Sequence, residues 1–204
     1  KIQTGTITAD RIQIGSLGRD RLDNTFTQSI DDTKSKIDNL KVGGRNLVKD
    51  SALIQFKGSD TGNGGASVVV DDFVRLTPVA DGNVWGNSAA NGGLVTASEL
   101  IAGEQYTYSV MVKTAMTSIG LYCYSGGNHL KSNIPLKSGN VWERVSFTFT
   151  QTTAGAKNFT FLGGFHQLQA GVVVEYRNFK LEKGNKATDW TPAPEDVQNS
   201  INAV

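Results

Sequence analysis

In QYTYSVMVKT, residues 105–114, apolar and polar side chains alternate. Successive side chains of a β-strand point to opposite faces, so this alternation predicts one buried face. Residues 145–150, VSFTFT, repeat the pattern. The apolar faces predicted in this way consist of Tyr106, Tyr108, Val110 and Val112 in the first stretch, and Val145, Phe147 and Phe149 in the second.

Further short strands are predicted on both sides of these two, between clusters of Gly, Asn and Asp. The candidate strands cover residues 66–70, 73–79, 83–87, 105–114, 118–125, 142–151, 158–163 and 171–181. No long helical period interrupts them, which favours an all-β sandwich or jelly roll over an α/β fold. We assign this body to residues 44–192.

Composition excludes several classes of function. Lys and Arg total 20 against 19 Asp and Glu, a net charge of +1, so no basic surplus is available for a nucleic-acid partner. The single cysteine, Cys123, excludes a disulfide framework within the chain and a zinc site built from several thiolates. No apolar run approaches the roughly 20 residues of a membrane span, so membrane insertion is not expected.

The segments that flank the body have the pattern of a stalk. Residues 1–24 form an Ile- and Thr-rich segment that suits short strands and has too little apolar surface to be stable without partner chains. Residues 25–43 predict a short coiled-coil helix, although an amphipathic helix lying against its own domain has the same pattern. Residues 193–204 predict the start of a second stalk helix, with Val197, Ile201 and Val204 at helical spacing. The oligomerisation positions of the first helix are Phe26, Ile30, Ile37 and Leu40, with Thr33 between them.

Three places in the body carry the groups that bind neutral sugars, namely aromatic rings beside amides and other polar side chains. In residues 119–125, Ile119, Leu121 and Cys123 form the apolar set, which leaves Tyr122 and Tyr124 on the opposite face as an outward pair. The sequence does not show which of the three places converge, and each ring has an alternative as a packing residue. The candidate carbohydrate-binding residues are Trp85, Asn87, Tyr122, Tyr124, Asn128 and His129; the third place is Gly164–Gln167, which we expect to interrupt a strand.

Other prominent residues have structural interpretations. Trp142 is expected at the start of a core strand, and Trp190 is expected to close one end of the sandwich. His129 and His166 are most simply loop residues. Glu175 and Arg177 alternate with apolar residues and are expected to face solvent.

Catalytic patterns are missing from the sequence. Acidic residues are scattered singly or lie in turns, and no Ser-His-Asp grouping, phosphate-binding Gly loop or His-based zinc motif occurs. We therefore expect a protein that is not an enzyme.

Two stretches of the body carry a family resemblance. GRNLVKDS, residues 44–51, and YRNFKLEKGNKATDWTPAPED, residues 176–196, resemble the bracketing signatures of carbohydrate-binding-module-like jelly-roll domains. Such domains occur in tail-tip, tail-fibre and baseplate proteins of phages that infect Gram-positive bacteria. TGTITADRI, residues 4–12, resembles linkers of tail proteins that are commonly trimeric.

The resemblance implies a non-catalytic module that recognises a host cell-wall or surface polysaccharide during adsorption. It further implies a homotrimer, contacts with other tail proteins and a place in the virion tail after synthesis in the bacterial cytoplasm. The alternative is a structural spacer or decoration of a tail fibre. In a jelly roll the first and last strands lie together, so residues 44–46 and 178–190 should meet at one end.

No cofactor is expected other than a structural calcium ion, which related jelly-roll modules often hold between their terminal strands. Its candidate ligands are Asn46, Asp50, Glu182 and Asp189.

Overall fold

The structure is a computed structural model that describes residues 23–54, 58–59, 67–85, 100–125, 128–137, 139–152 and 162–203. Predictions for residues 1–22, Asn87, residues 158–161 and Val204 therefore lie outside the described residues. The chain divides into two units between Leu40 and Lys41, and each is described by itself.

In the first unit, helix α1 covers Asn24–Asp38. Asp23 caps its N-terminus, because a side-chain oxygen of Asp23 accepts a hydrogen bond of 2.7 Å from the backbone N–H of Thr25. The predicted helix is confirmed, but it ends at Asp38, so Leu40 lies beyond it. The predicted oligomerisation residues are exposed: Phe26 by 55%, Ile30 by 39%, Ile37 by 66% and Leu40 by 51%.

In the part of the second unit that the structure describes, ten strands form two five-stranded sheets. The strands are β1 (Gly58–Ser59), β2 (Ser67–Val70), β3 (Phe73–Leu76), β4 (Gly82–Trp85), β5 (Gln105–Thr114), β6 (Ser118–Ser125), β7 (Asn128–Pro135), β8 (Glu143–Thr150), β9 (Leu162–Leu168) and β10 (Val174–Lys183). The first sheet has the order β1-β4-β9-β6-β7 and the second β2-β3-β10-β5-β8, with antiparallel neighbours in both. The all-β sandwich is thereby confirmed, with a chain that passes repeatedly between its two sheets, as in a jelly roll.

Aromatic rings from both sheets form the core between them. Phe165 of the first sheet lies 5.1 Å, between ring centroids, from Tyr176 of the second. Tyr108 stacks on Phe179 at 5.8 Å. The predicted core face of β5 is confirmed, since Tyr106, Tyr108, Val110 and Val112 are at most 1% exposed.

Local pattern located most of the described strands but missed two, β1 and β7. The bounds of β5 and β6 agree with prediction, whereas β7 was not predicted because NHLKSNIP lacks a clear alternation of apolar and polar residues. Pairing with β6 along its whole length holds β7 in the sheet, so tertiary context decides its conformation. The prediction that Gly164–Gln167 interrupts a strand is wrong, because β9 continues to Leu168. His129 and His166 are consequently strand residues, not loop residues.

The beginning and end of the body meet, as predicted. The backbone N–H of Leu47 donates to the carbonyl of Leu181 at 2.8 Å. Asn46 is fully buried, and its side-chain N–H groups donate to the carbonyls of Phe179 and Thr191 at 3.3 and 2.9 Å. Trp190 contributes at the same end, because its indole N–H donates to the hydroxyl of Ser51 at 3.1 Å.

The segment after β10 gives the closing sequence signature a physical reason. Glu182 is fully buried, and its carboxylate accepts hydrogen bonds from the backbone N–H and the hydroxyl of Thr188 at 2.8 and 2.7 Å. Lys180 is 1% exposed and donates to the hydroxyl of Thr188 and the carbonyl of Asp189 at 2.6 and 2.7 Å. Burial lowers the pKa of Lys180, and the nearby carboxylate of Glu182 opposes that effect. The charges of Lys180 and Glu182 therefore obtain these hydrogen bonds only when the segment after β10 lies across them.

The expectation that Glu175 faces solvent is wrong, and the structure adds contacts of Arg177 and Trp142 that were not predicted. Glu175 is not solvated but 9% exposed, because Arg75 and Lys113 close over it in ion pairs of 2.7 and 3.0 Å. Arg177 forms an ion pair with the carboxylate of Asp72. Trp142 lies just before β8, and the Arg177 guanidinium lies 4.6 Å from its ring centroid. Trp142 therefore packs against Arg177 and the ring of Phe73 and is not a residue of the buried core cluster.

Helix α2 covers Pro194–Asn202, in agreement with the predicted start of a helix after residue 192. Pro194 occupies its first turn together with Glu195 and Asp196, whose charges complement the helix dipole. Val197 and Ile201 are 44% and 62% exposed. Within the described residues, neither helix combines the length and apolar character that spanning a bilayer requires.

Candidate functional site

The outer face of the first sheet carries most of the predicted sugar-binding positions. Val84 and Phe165 lie opposite each other in β4 and β9, and Leu121 lies opposite Phe165 in β6; all three are at most 2% exposed and face the core. Because side chains alternate along a strand, the positions directly adjacent to these three residues belong to the outer face.

These next positions form a row across three strands. Trp85 of β4 lies opposite Gly164 of β9, which lies opposite Tyr122 of β6. Tyr122 in turn lies opposite Lys131 of β7. Adjacent strands are about 4.8 Å apart, so the Cα atoms of Trp85 and Tyr122 are separated by about 10 Å. We call Trp85, Gly164, Tyr122 and Lys131 the outer row.

A second pair of candidates lies one step along the same face. Tyr124 is opposite His129, and both are two residues from the outer row, or about 7 Å along the strands. Asn128 is opposite Ser125, so its position belongs to the other face. The register therefore brings together Trp85, Tyr122, Tyr124 and His129, and excludes Asn128.

Tyr122 differs from prediction in its exposure. The residue lies on the predicted face and is not part of the core cluster, but its side chain is only 3% exposed. The prediction of a solvent-exposed ring at this position is therefore wrong. Gly120, Gly164 and His166 on the same face are also buried, so the centre of the face is covered.

His166 is a residue of this face that sequence reasoning undervalued. It is 6% exposed, and its Nε2 lies 2.9 Å from the backbone carbonyl of Ser132 in β7. A carbonyl oxygen only accepts, so Nε2 carries the proton. To reach β7 the ring crosses β6 at Gly120, where a Cβ atom would lie 2.5 Å from the ring and from the His166 carbonyl. The glycine in the IGLYCYS stretch is the sequence signal for this close approach.

The outer face of the second sheet carries paired charges. Burial raises the pKa of the Glu175 carboxyl, but hydrogen bonds from Arg75 and Lys113 outweigh burial and hold the pKa below its usual value. Arg177 is similarly paired with Asp72 and stacked on Trp142. These groups bind one another, which stabilises the sheet surface.

Two of the four calcium candidates already use their side-chain oxygens in hydrogen bonds. A side-chain oxygen of Asn46 accepts from the backbone N–H of Val48 at 3.0 Å, and both carboxylate oxygens of Glu182 accept from Thr188. Within the described ranges, Asp50, Glu182 and Asp189 do not form a group of acidic or imidazole side chains that could hold a metal ion. Calcium binding by these four residues stays a prediction.

Comparison with known proteins finds similarity in structure but not in sequence. No protein-family model and no curated protein matches the chain. Similar solved structures include carbohydrate-binding modules and a phage baseplate protein. A family 16 carbohydrate-binding module has a TM-score of 0.43 and 11% identity, over 67% of this chain and 99% of that one.

The tripod from the baseplate of bacteriophage Tuc2009 has a TM-score of 0.47 and 19% identity, over 77% of this chain and 61% of that one. A cyclase from Fischerella sp. TAU has a TM-score of 0.40 and 15% identity, over 66% of this chain and 74% of that one. A fold by itself does not imply a function, so the residues of this chain must decide it.

Proposed function

We propose that the second unit is a non-catalytic saccharide-binding module of a phage tail adsorption protein, and that it binds a host cell-wall or surface glycan at the outer face of the first sheet. The observation that carries this proposal is the outer row. It brings Trp85 and Tyr122, which are far apart in sequence, into one row on either side of Gly164. The row lies on a face turned away from the core. The signatures at residues 44–51 and 176–196 support a place in a tail protein.

The chemistry of the outer row suits a pyranose. Aromatic rings cover the apolar C–H surface of a sugar, while amide, imidazole and ammonium groups bind its hydroxyls. Trp85 is the proposed stacking residue, with His129 and Lys131 as proposed hydroxyl partners. Tyr122, which is 3% exposed, is proposed to support the floor beneath the ligand and not to stack on it. Gly164 lies between Trp85 and Tyr122 in the row and has no side chain of its own.

Self-association through α1 would multiply a weak affinity. Phe26, Ile30 and Ile37 are exposed apolar residues at heptad spacing on a helix without buried residues. A homotrimer that buried them would present three glycan sites to a repetitive surface, and binding of one site would raise the effective concentration of the others.

The test is binding of purified host cell-wall polysaccharide to the full chain and to two tryptophan variants. Trp85→Ala should reduce binding at least tenfold, the loss expected for one stacked ring of about 1.5 kcal/mol. Trp142→Ala is the matched control, because Trp142 packs on Arg177 in the second sheet. Equal binding by both variants and the parent would refute the site, and absence of binding by the parent would refute the function.

A structural decoration is the second candidate, and one observation favours it. Tyr122, His166, Gly120 and Gly164 are all buried, so the described centre of the proposed face offers no open ring. Binding to intact host cells distinguishes the two functions. A saccharide-binding module should sediment with the cells, whereas a structural decoration should stay in the supernatant.

A further inference from the structure

The beginning and the end of the body are joined more extensively than neighbouring strands require. We call residues 41–51 the leading segment and residues 184–196 the return segment. The backbone N–H of Lys41 donates to a side-chain oxygen of Asn185 at 2.9 Å, and the N–H of Asn185 donates to the carbonyl of Lys41 at 2.8 Å. Val42 and Lys186 form an isolated parallel bridge beside them.

Two glycines make this approach possible. A Cβ atom at Gly43 would collide with the backbone carbonyl of Lys183, the residue directly before the return segment, and one at Gly184 would collide with the carbonyl of Lys41. Gly43 needs no positive φ, so its lack of a side chain serves the close approach and not a turn. The sequence thus keeps the two segments in backbone contact.

Further contacts join the same segments closer to α2. Arg45 and Glu195 form an ion pair of 2.5 Å. The backbone N–H of Asp50 donates to the carboxylate of Asp196 at 2.9 Å. Buried Asn46 adds its bond to the Thr191 carbonyl. Together these contacts cross-link the leading segment to the return segment along their whole length.

The parallel direction of the bridge determines how the leading and return segments respond to tension. When the leading segment is pulled from its start and the return segment from its end, two parallel segments slide past each other. Sliding loads all their cross-links at once, whereas opening from one end would break them one after another. The path from Lys41 to Asp196 through these cross-links also bypasses residues 52–177.

We propose that these contacts form a mechanical clamp, which carries tension between the chain on either side of the body so that the sandwich is not stretched. The clamp is a mechanical function of the module and does not depend on saccharide binding. Under tension applied at the chain ends, the body stays folded until the clamp breaks, and it then unfolds with a length gain of roughly 500 Å.

The test is the lifetime of the folded body under constant force, measured on single molecules of the full chain held at both ends. The added methyl group of Gly43→Ala would clash with the facing backbone and separate the segments. The variant should shorten the lifetime about tenfold, the factor given by loss of one or two net hydrogen bonds. The control is Gly171→Ala, which strains a turn at φ 72° where nothing lies within 4 Å. It should lower stability in denaturant without shortening the lifetime under end load. Asn185→Ala replaces Gly43→Ala if Gly43→Ala does not fold.

A second pulling direction completes the test. With handles at Asp81 and Asn140, two exposed turn residues, force crosses the sandwich without passing through the clamp. The wild-type body should then unfold sooner than under end load at the same force. Equal lifetimes in the two directions, or equal effects of Gly43→Ala and Gly171→Ala under end load, would overturn the proposal.

Discussion

Replacement of Asn46 tests how the two ends of the body are held together. Asn46 is fully buried, accepts from the N–H of Val48, and donates to the Ser51 hydroxyl and to the carbonyls of Phe179 and Thr191. Asn46→Ala leaves the buried Val48 N–H unsatisfied, at about 1–3 kcal/mol, and also removes the bonds that the amide donates. The total expected loss of unfolding free energy is about 3 kcal/mol, or about 6–12 °C in Tm for a domain of this size.

Asn46→Asp separates a hydrogen-bond role from a calcium role. The new carboxylate has nearly the same shape but cannot donate, and it would face the carbonyls of Phe179 and Thr191 as a buried charge. We expect a loss of about 3–5 kcal/mol at neutral pH. The loss should shrink as pH falls, because a protonated carboxyl regains one donor. A calcium ligand would behave in the opposite way, since a carboxylate would strengthen binding and raise stability when calcium is added.

The assay is urea denaturation, with and without calcium and a chelator. Asn140→Asp is the matched control, because Asn140 is exposed at φ 51°, a conformation that Asp also tolerates. Midpoints of the two Asp variants within experimental error of each other would refute the hydrogen-bond role. Stabilisation of Asn46→Asp by calcium would revive the calcium site.

Three further outcomes follow from the structure. Glu175→Gln should cost about 1–2 kcal/mol at pH 7 and almost nothing near pH 2, because a carboxyl with a lowered folded-state pKa loses its contribution as pH falls through that pKa; denaturant titrations at both pH values measure the difference. Gly120→Ala should cost about 1–3 kcal/mol and displace His166, which its Cβ would contact at 2.5 Å, so an unchanged imidazole NMR signal would contradict the packing described. Ile30→Asp with Ile37→Asp should reduce the mass measured by light scattering from three chains to one, and a parent that is already monomeric would exclude the proposed trimer.

Sequence reasoning succeeded where local pattern and structure coincide. The alternation in residues 105–114 located β5 and its buried face, and the spacing of Phe26 and Ile30 located α1, because side-chain direction in a strand or helix follows from position along the chain. It also placed Tyr122 on the correct face of β6. The exposure of Tyr122 could not be obtained in this way, since alternation gives the direction of a side chain but not what packs over it.

Charged residues show the same limit. Lys180 and Glu182 occupy polar positions of β10 and would be taken as solvated, yet both are buried because residues 184–193 return across them. Glu175 is enclosed by Arg75 and Lys113, which belong to neighbouring strands distant in sequence. Long-range contacts of this kind leave no periodic trace in the residues that they bury.

The sequence by itself determined the all-β class, most strands, the flanking helices and the segments that meet at one end of the body. These features depend on interactions between residues close in the chain, or on motifs long enough to carry their own signal. Long-range packing was needed to reveal that β7 joins the first sheet, that Trp85 and Tyr122 share a row, and that the leading segment contacts the return segment. Each of these depends on strand register, because a shift of one residue would reverse the face of every side chain in a strand.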